Sequence, residues 1–404
     1  MPRLRIIYFK TWHENISVFL LFIWTKCIIF APENFIKHYL TEMKNVNSLV
    51  CAAILCLTMI CGCTKRQDIK FGDPFILAAS DGRYYMYGTS MADGFEAYSS
   101  DNLMDWTSCG RVYQGASEGQ WNQDCFWAPE VYERGGKYYM FFSANDRNNP
   151  THEGENFKIG VAVADSPTGP FTDLYNRPVF NPPYPIIDAN VWFDDATGRC
   201  YLYFSRCCYK HPVESDVATW ARNEGLYDAI EESWIYGVEL MPDFSGVIGE
   251  PQLLLQPPVH LADPATEWEN RSVLAHEAGR RWNEGSFAIR NDSLYYIMYS
   301  ANFFGSSNYA VGYATGRSPL GPFTKAAENP ILQADIAQGG HITGTGHNMA
   351  FRSHQGEWLT VYHGRTLEQP DERVVFISPI EIDPSGRLVI HHSDKLTLKP
   401  QYRE

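Results

Sequence analysis

Positive charge is scarce beyond the first 66 residues. That leader carries eight Lys or Arg against three acids, which leaves residues 67–404 with a net charge of −19 in a chain of −14. A domain so acidic repels phosphates and anionic headgroups, which excludes nucleic acid as a partner and favours a neutral ligand. Helical periodicity is the second absence. From Phe71 onward apolar residues alternate or run in short stretches between Gly, Asp, Asn and Pro turns, and almost nowhere recur at helical spacing. Usable cysteine is the third. Five of the ten cysteines fall in the leader, and the others, Cys109, Cys125, Cys200, Cys207 and Cys208, are odd in number and lack metal-type spacing. An oxidising compartment would permit one disulfide, with Cys109 and Cys125 as the pair to consider.

Long apolar runs are missing as well. Met43-Lys44 opens a short basic stretch, Leu49 to Cys61 is apolar but too short to span a bilayer, and Ile60-Cys61-Gly62-Cys63 follows. This resembles a bacterial lipoprotein signal, which implies cleavage before Cys63 and acylation of its sulfur. The expected organisation is therefore an upstream extension over 1–42, a signal peptide over 43–63 and one folded domain over 64–404. The expected location is the cell envelope, with the membrane reached only through a lipid at Cys63, or secretion if the signal is an ordinary one. The apolar run Ile16 to Ala31 is interrupted by Lys26, so upstream sequence ahead of a true start at Met43 is preferred to a membrane segment.

What is present is repetition. DGRYYMYGTS at Asp81, GGKYYMFFSAN at Gly135, TGRCYLYFSR at Thr197, NDSLYYIMYSAN at Asn291 and QGEWLTVYHGR at Gln355 are each a turn followed by an aromatic-rich strand. GVAVADSPTGPFT at Gly160 returns as VGYATGRSPLGPFT at Val311. Five copies of a four-stranded unit predict an all-β, five-bladed β-propeller, because such a unit buries its faces only against its neighbours. A β-sandwich with similar hairpins is the alternative, but it requires no in-register copies. Between Arg206 and Arg281 lie two further strands of the third blade and an insert over about Cys207 to Glu232.

Counting back 12 residues from the second-strand aromatic gives Asp73, Trp127, Glu284 and His347, and 13 gives Asp188 where the turn is longer. Equivalent positions at the head of each innermost strand would converge on the propeller axis. Unpaired acids gathered there cost stability through desolvation and repulsion, so their presence points to chemistry. Two carboxyls across a pocket, one ionised to activate water and one protonated to assist a leaving oxygen, suit glycosidic bond cleavage. Singly, each has a plainer explanation: Asp73-Pro74 as a turn, Asp188 bonded to its own backbone, Glu284 in a loop, His347 as a satisfied core histidine.

FGDPF at Phe71, WAPEV at Trp127, IDANVWFDD at Ile187, NEGSF at Asn283, GTGHN at Gly344 and RVVFISPIEIDPSGR at Arg373 resemble glycoside hydrolase family 43 across residues 70–392. The resemblance implies an inverting hydrolase of plant-type polysaccharide, with release of α-L-arabinofuranose preferred and a β-xylosidase the near alternative. It makes Asp73 the general base, Glu284 the general acid and Asp188 the acid that orients Glu284. It also implies a calcium or other ion near His347, held through water, although one histidine is a thin basis for a calcium site. Arg365 is expected to donate to sugar hydroxyls, and Phe126 with Trp127 to form an apolar platform for the sugar ring. The carbohydrate is the only partner expected, and the chemistry itself needs no cofactor. Two departures stand out: Ser286 where a proline often follows Glu-Gly, and the insert, which bears on substrate choice. A non-catalytic glycan-binding propeller is the rival from another class, and it would have no use for the three acids.

Overall fold

The computed structural model describes residues 66–403 apart from 152–153, 211–214, 339 and 394. The expected signal peptide and Cys63 lie outside the described residues. Five four-stranded antiparallel blades follow one another. Blade 1 comprises Gly72–Ala78, Tyr84–Thr89, Gly94–Ser100 and Asp105–Gln114. Blade 2 comprises Asp124–Arg134, Lys137–Asn145, Phe157–Ala164 and the short Thr172–Asp173. Blade 3 comprises Ile186–Asp194, Arg199–Lys210, Glu231–Leu240 and Val247–Leu255, with both later strands inside the long gap where the sequence puts them. Blade 4 is Arg280–Asn291, Leu294–Ala301, Ala310–Gly316 and Phe323–Lys325, and blade 5 is Ile342–Arg352, Trp358–Thr366, Val374–Ile382 and Leu388–Ile390.

The repeated phrases supply the contacts between blades. Tyr87 and Tyr203, at equivalent places on second strands, donate to the Pro167 and Pro319 carbonyls at 2.6 and 2.9 Å. Those carbonyls belong to the Ser-Pro-x-Gly-Pro turns of the following blades, which explains why strand phrase and turn phrase recur together. Aromatic rings fill the remaining space: Phe95, Tyr113 and Phe126 pack on Phe142 with centroids 4.9 to 6.2 Å apart. Such packing stabilises by area burial plus favourable ring geometry.

The ring closes at blade 1. Gln401–Arg403 runs parallel to Asp105 and Trp106 on its outer edge, and Arg66–Asp68 pairs antiparallel with Gln401–Arg403. Blades 3 and 4 are also stitched together, because Glu231, Glu232 and Ser233 pair in parallel with Arg280, Arg281 and Trp282. The stitch is held by Arg281, 1 % exposed. Its guanidinium is ion-paired with Glu232 and donates to Asn270 Oδ1 at 2.9 Å and Ser215 Oγ at 2.8 Å. Ser215 in turn caps the helix Asp216–Asn223, accepting from the Ala218 N–H at 3.2 Å. The insert is therefore tied to the propeller by one buried, fully bonded arginine.

Candidate active site

Each innermost strand carries the same β-bulge. The pairing slips between Gly72 and Phe75, Trp127 and Glu130, Ile187 and Asn190, Glu284 and Phe287, and Gly346 and Met349. The first bulged residue has positive φ in every blade: Asp73 at 53°, Ala128 at 43°, Asp188 at 59°, Gly285 at 57° and His347 at 49°. This corrects the register counted from the sequence. Asp73, Asp188 and His347 occupy equivalent positions, whereas Trp127 and Glu284 stand one residue earlier. Blades 2 and 4 turn through two-residue hairpin loops, Arg134 pairing with Lys137 and Asn291 with Leu294, so the count back to the bulge is shorter there.

The residue before the bulge also makes a ring: Gly72, Trp127, Ile187, Glu284 and Gly346. Trp127, Ile187 and Glu284 line one cavity of ≈ 730 Å³. The two glycines leave room for side chains from elsewhere. A Cβ on Gly72 would lie 2.0 Å from the Arg373 guanidinium carbon, and one on Gly346 would lie 2.0 Å from the Tyr309 ring. Arg373 and Tyr309 thus enter the same cavity through places that a larger residue would fill.

A cyclic hydrogen-bond pattern aims the bulges. The bulge N–H of one blade donates to the second strand of the blade before it: Ala128 to Thr89 Oγ1 at 2.9 Å, Asp188 to Ser143 Oγ at 2.9 Å, and His347 to Ser300 Oγ at 2.7 Å. Asp73 closes the circle by donating to His363 Nδ1 at 3.2 Å. Blade 4 is the exception. The Gly285 N–H goes to Asp188 Oδ2 at 3.1 Å, and Ser205, where the acceptor would otherwise be, donates to the same oxygen at 3.2 Å. Asp188 therefore holds the peptide that joins Glu284 to Gly285.

Asp73 accepts from the Thr89 hydroxyl at 2.6 Å and from Arg373 Nη1 at 3.0 and 3.2 Å. Burial alone would raise its pKa, but the Arg373 charge, with the nearby His347, outweighs burial and holds the carboxyl well below the usual range. His363 adds little charge. Burial pushes it well below the ordinary histidine value, and its Nδ1 already accepts an N–H, so the ring is neutral. Glu284 goes the other way: burial first and the Asp188 charge second push it well above the usual carboxylate value. Asp188 is also raised, chiefly by burial. Of this coupled pair Asp188 is the one to ionise, since its Oδ2 accepts two hydrogen bonds while Glu284 accepts one, from Tyr309 at 2.9 Å.

Other expected site residues are placed differently. Trp127 lines the cavity and packs on Phe157 at 4.8 Å, but Phe126 is 1 % exposed and belongs to the aromatic core between blades 1 and 2. Arg365 does not line the cavity. Its guanidinium donates to the Pro370 and Phe304 carbonyls, both at 3.3 Å, because Arg373 already occupies the place beside Asp73. Cys109 and Cys125 are free thiols, and Cys207 and Cys208 line the cavity wall. The stitched seam supplies much of that wall: Arg280 sits between the Trp282 and Phe303 rings, 5.1 Å from each centroid, and is paired with Glu231 at 3.3 Å. The insert therefore does shape the cavity.

Among the described residues, no cluster of three or more His, Cys, Asp or Glu side chains is arranged for a metal ion. His347 Nδ1 faces Asp73 Oδ1 at 3.3 Å, and that oxygen is already taken by Arg373. These donors do not fit direct calcium coordination, which calls for six to eight oxygens. No chemical step is assigned to an ion.

The family model for glycosyl hydrolases family 43 matches residues 68–388. The chain belongs to this family. It is an inverting glycoside hydrolase acting on O-glycosyl bonds of plant polysaccharides. It is 29 % identical over 344 residues to a xylosidase/arabinosidase of Humicola insolens, covering 80 % of this chain and 90 % of the relative. It is 26 % identical over 326 residues to a β-D-galactofuranosidase of Aspergillus niger, covering 76 % and 78 %. Among solved structures, a thermostable family-43 glycoside hydrolase superposes with a TM-score of 0.66 at 33 % identity, covering 80 % of this chain and 93 % of that one. An endo-1,4-β-xylanase of Bacteroides thetaiotaomicron gives 0.65 at 27 % identity, covering 84 % and 100 %. Like its relatives in the family, the chain is a five-bladed propeller.

Proposed function

We propose that Asp73 is the general base, Glu284 the general acid and Asp188 the residue that orients the acid, and that the sugar released is a terminal α-L-arabinofuranose. The observation that carries the roles is the opposite displacement of two carboxyls in one cavity. Asp73 is kept ionised by Arg373, and Glu284 is kept protonated by burial and by Asp188. An ionised carboxylate draws a proton from water as it attacks the anomeric carbon, while a protonated one delivers its proton to the departing glycosidic oxygen. Trp127 offers a face for the sugar ring, and Arg373 donates to a sugar hydroxyl while holding Asp73. His347, wedged between Asp73 and Gly285, spaces the base from the acid.

The choice of arabinose over xylose is a preference carried by the family resemblance, and a relative named for both sugars is compatible with either. A β-xylosidase is the second reading. A panel of nitrophenyl arabinofuranoside, xyloside and galactoside, with the product anomer followed by NMR, separates the two. Exclusive turnover of xyloside would overturn the sugar assignment and leave the roles intact. Glu284→Gln is expected to lower kcat by roughly two to four orders of magnitude with a poor leaving group. Asp73→Asn is expected to abolish hydrolysis while sugar binding persists, as read by calorimetry. Full activity in either variant would sink the corresponding role, and loss of binding together with activity would favour a structural part for Asp73. The run Leu49 to Cys63 supports a lipid anchor at Cys63, for which labelled palmitate should enter the wild type and not Cys63→Ala.

A further inference from the structure

We propose that Tyr309 is a positioning residue for Glu284: its hydroxyl confines the acid's proton to Oε2, the oxygen left free to donate. The inference rests on the reading of Glu284 as the general acid. It concerns a side chain that the repeats and motifs of the sequence do not single out.

Tyr309 is 1 % exposed, and its hydroxyl lies 2.9 Å from Glu284 Oε1. A phenol can donate or accept, but an ionised carboxylate can only accept, so the Tyr309 O–H is the donor to Glu284. Burial, reinforced by the Glu284 charge, pushes the phenol well above its ordinary value, so it remains a donor at any working pH. The hydrogen bond therefore runs one way, from Tyr309 to the acid.

The ring that carries this hydroxyl is fixed from two sides. It stacks on His363 with centroids 5.6 Å apart and planes 13° from parallel. Its other support is the backbone at Gly346, where an added Cβ would meet the ring at 2.0 Å. When Glu284 is protonated, Oε1 is already committed as an acceptor, so the proton resides on Oε2. Without the hydroxyl the proton would divide between the two oxygens, and the carboxyl would be free to turn. Misplacement of a proton donor by about 1 Å is enough to cost on the order of 100-fold in rate.

Tyr309→Phe removes only the oxygen and tests the inference. With an unactivated arabinofuranoside, kcat should fall by about 10- to 100-fold with KM within about twofold. With a dinitrophenyl leaving group, which departs without a proton, kcat should stay within about threefold. The basic limb of the pH profile should move to higher pH, because the lost donation had favoured the Glu284 carboxylate. Equal losses with both leaving groups, or an unmoved basic limb, would overturn the proposal. If Tyr309→Phe fails to fold, 3-fluorotyrosine at position 309 keeps the ring and makes its hydroxyl a stronger donor, and the basic limb should move to lower pH; an unmoved limb would count against the proposal. Glu284→Gln separates the two levels. Leaving-group dependence there but not in Tyr309→Phe defeats the inference alone, and its absence in both defeats the acid assignment.

Discussion

Burying Glu284 at 5 % exposure beside Asp188 makes its carboxylate costly, and that cost falls on the folded state. The folded pKa is raised, so as pH rises through the ordinary glutamate range the unfolded chain loses its proton first. Stability must then decline until the folded pKa is reached. Glu284→Gln keeps the shape and removes the decline. The variant should melt higher than the wild type, by a margin that is larger near pH 8 than near pH 5, as measured by calorimetry. A pH-independent margin would mean that Glu284 is not the group held protonated. Asp73 has the opposite sign. Its depressed pKa contributes stability above the ordinary aspartate range, and this is lost as pH falls through the folded value. The sequence revealed both acids because a carboxyl in a repeat register is conspicuous. It did not reveal Arg373, which stands 300 residues from Asp73, because spacing along the chain says nothing of which blades meet when the ring closes. Arg365 was the more visible arginine, being inside an aligned phrase, yet its strand position turns it to the Pro370 and Phe304 carbonyls.

The bulge is the element that converts five strands into one site. Four of its five copies tolerate a side chain at positive φ, so backbone conformation alone does not demand glycine at residue 285. The His347 ring adds to the cost of a side chain, since a Cβ there would lie 3.0 Å from Nδ1 and the ring would have to give way by a few tenths of an ångström. Gly285→Ala is expected to combine left-handed strain of about 1–2 kcal/mol with a shift of the neighbouring Glu284. It should lower Tm by a few degrees and kcat far more than that loss of stability would suggest, as checked by melting and kinetics on one preparation. Retained kcat would show that Glu284 does not depend on the bulge for its aim. The hydroxyl ring was partly legible in advance. Thr89, Ser143, Ser205, Ser300 and His363 all sit at one place in the aligned strand phrases, and equivalence among small hydroxyls was the available signal. The exact register was not legible, because hairpin loops of different length change the count by one residue.

At the scale of the molecule, blade number and order followed from the repeats, since a four-stranded unit that cannot bury itself must be surrounded by others. Two features had no sequence signal: the parallel stitch between blades 3 and 4, and the manner of closure. A three-residue strand such as Gln401–Arg403 carries no pattern, and only its position beside Arg66–Asp68 gives it a role. That position has a consequence for connectivity. Arg66 is directly paired with Arg403, so the described residues 66–403 bring their two ends together at the rim. Joining these ends with a short flexible linker and reopening the backbone at the exposed Gly135-Gly136 turn would give a circular permutant with the same blades in the same cyclic order. The cavity, built from residues of all five blades around the axis, is indifferent to where along the joined chain translation begins.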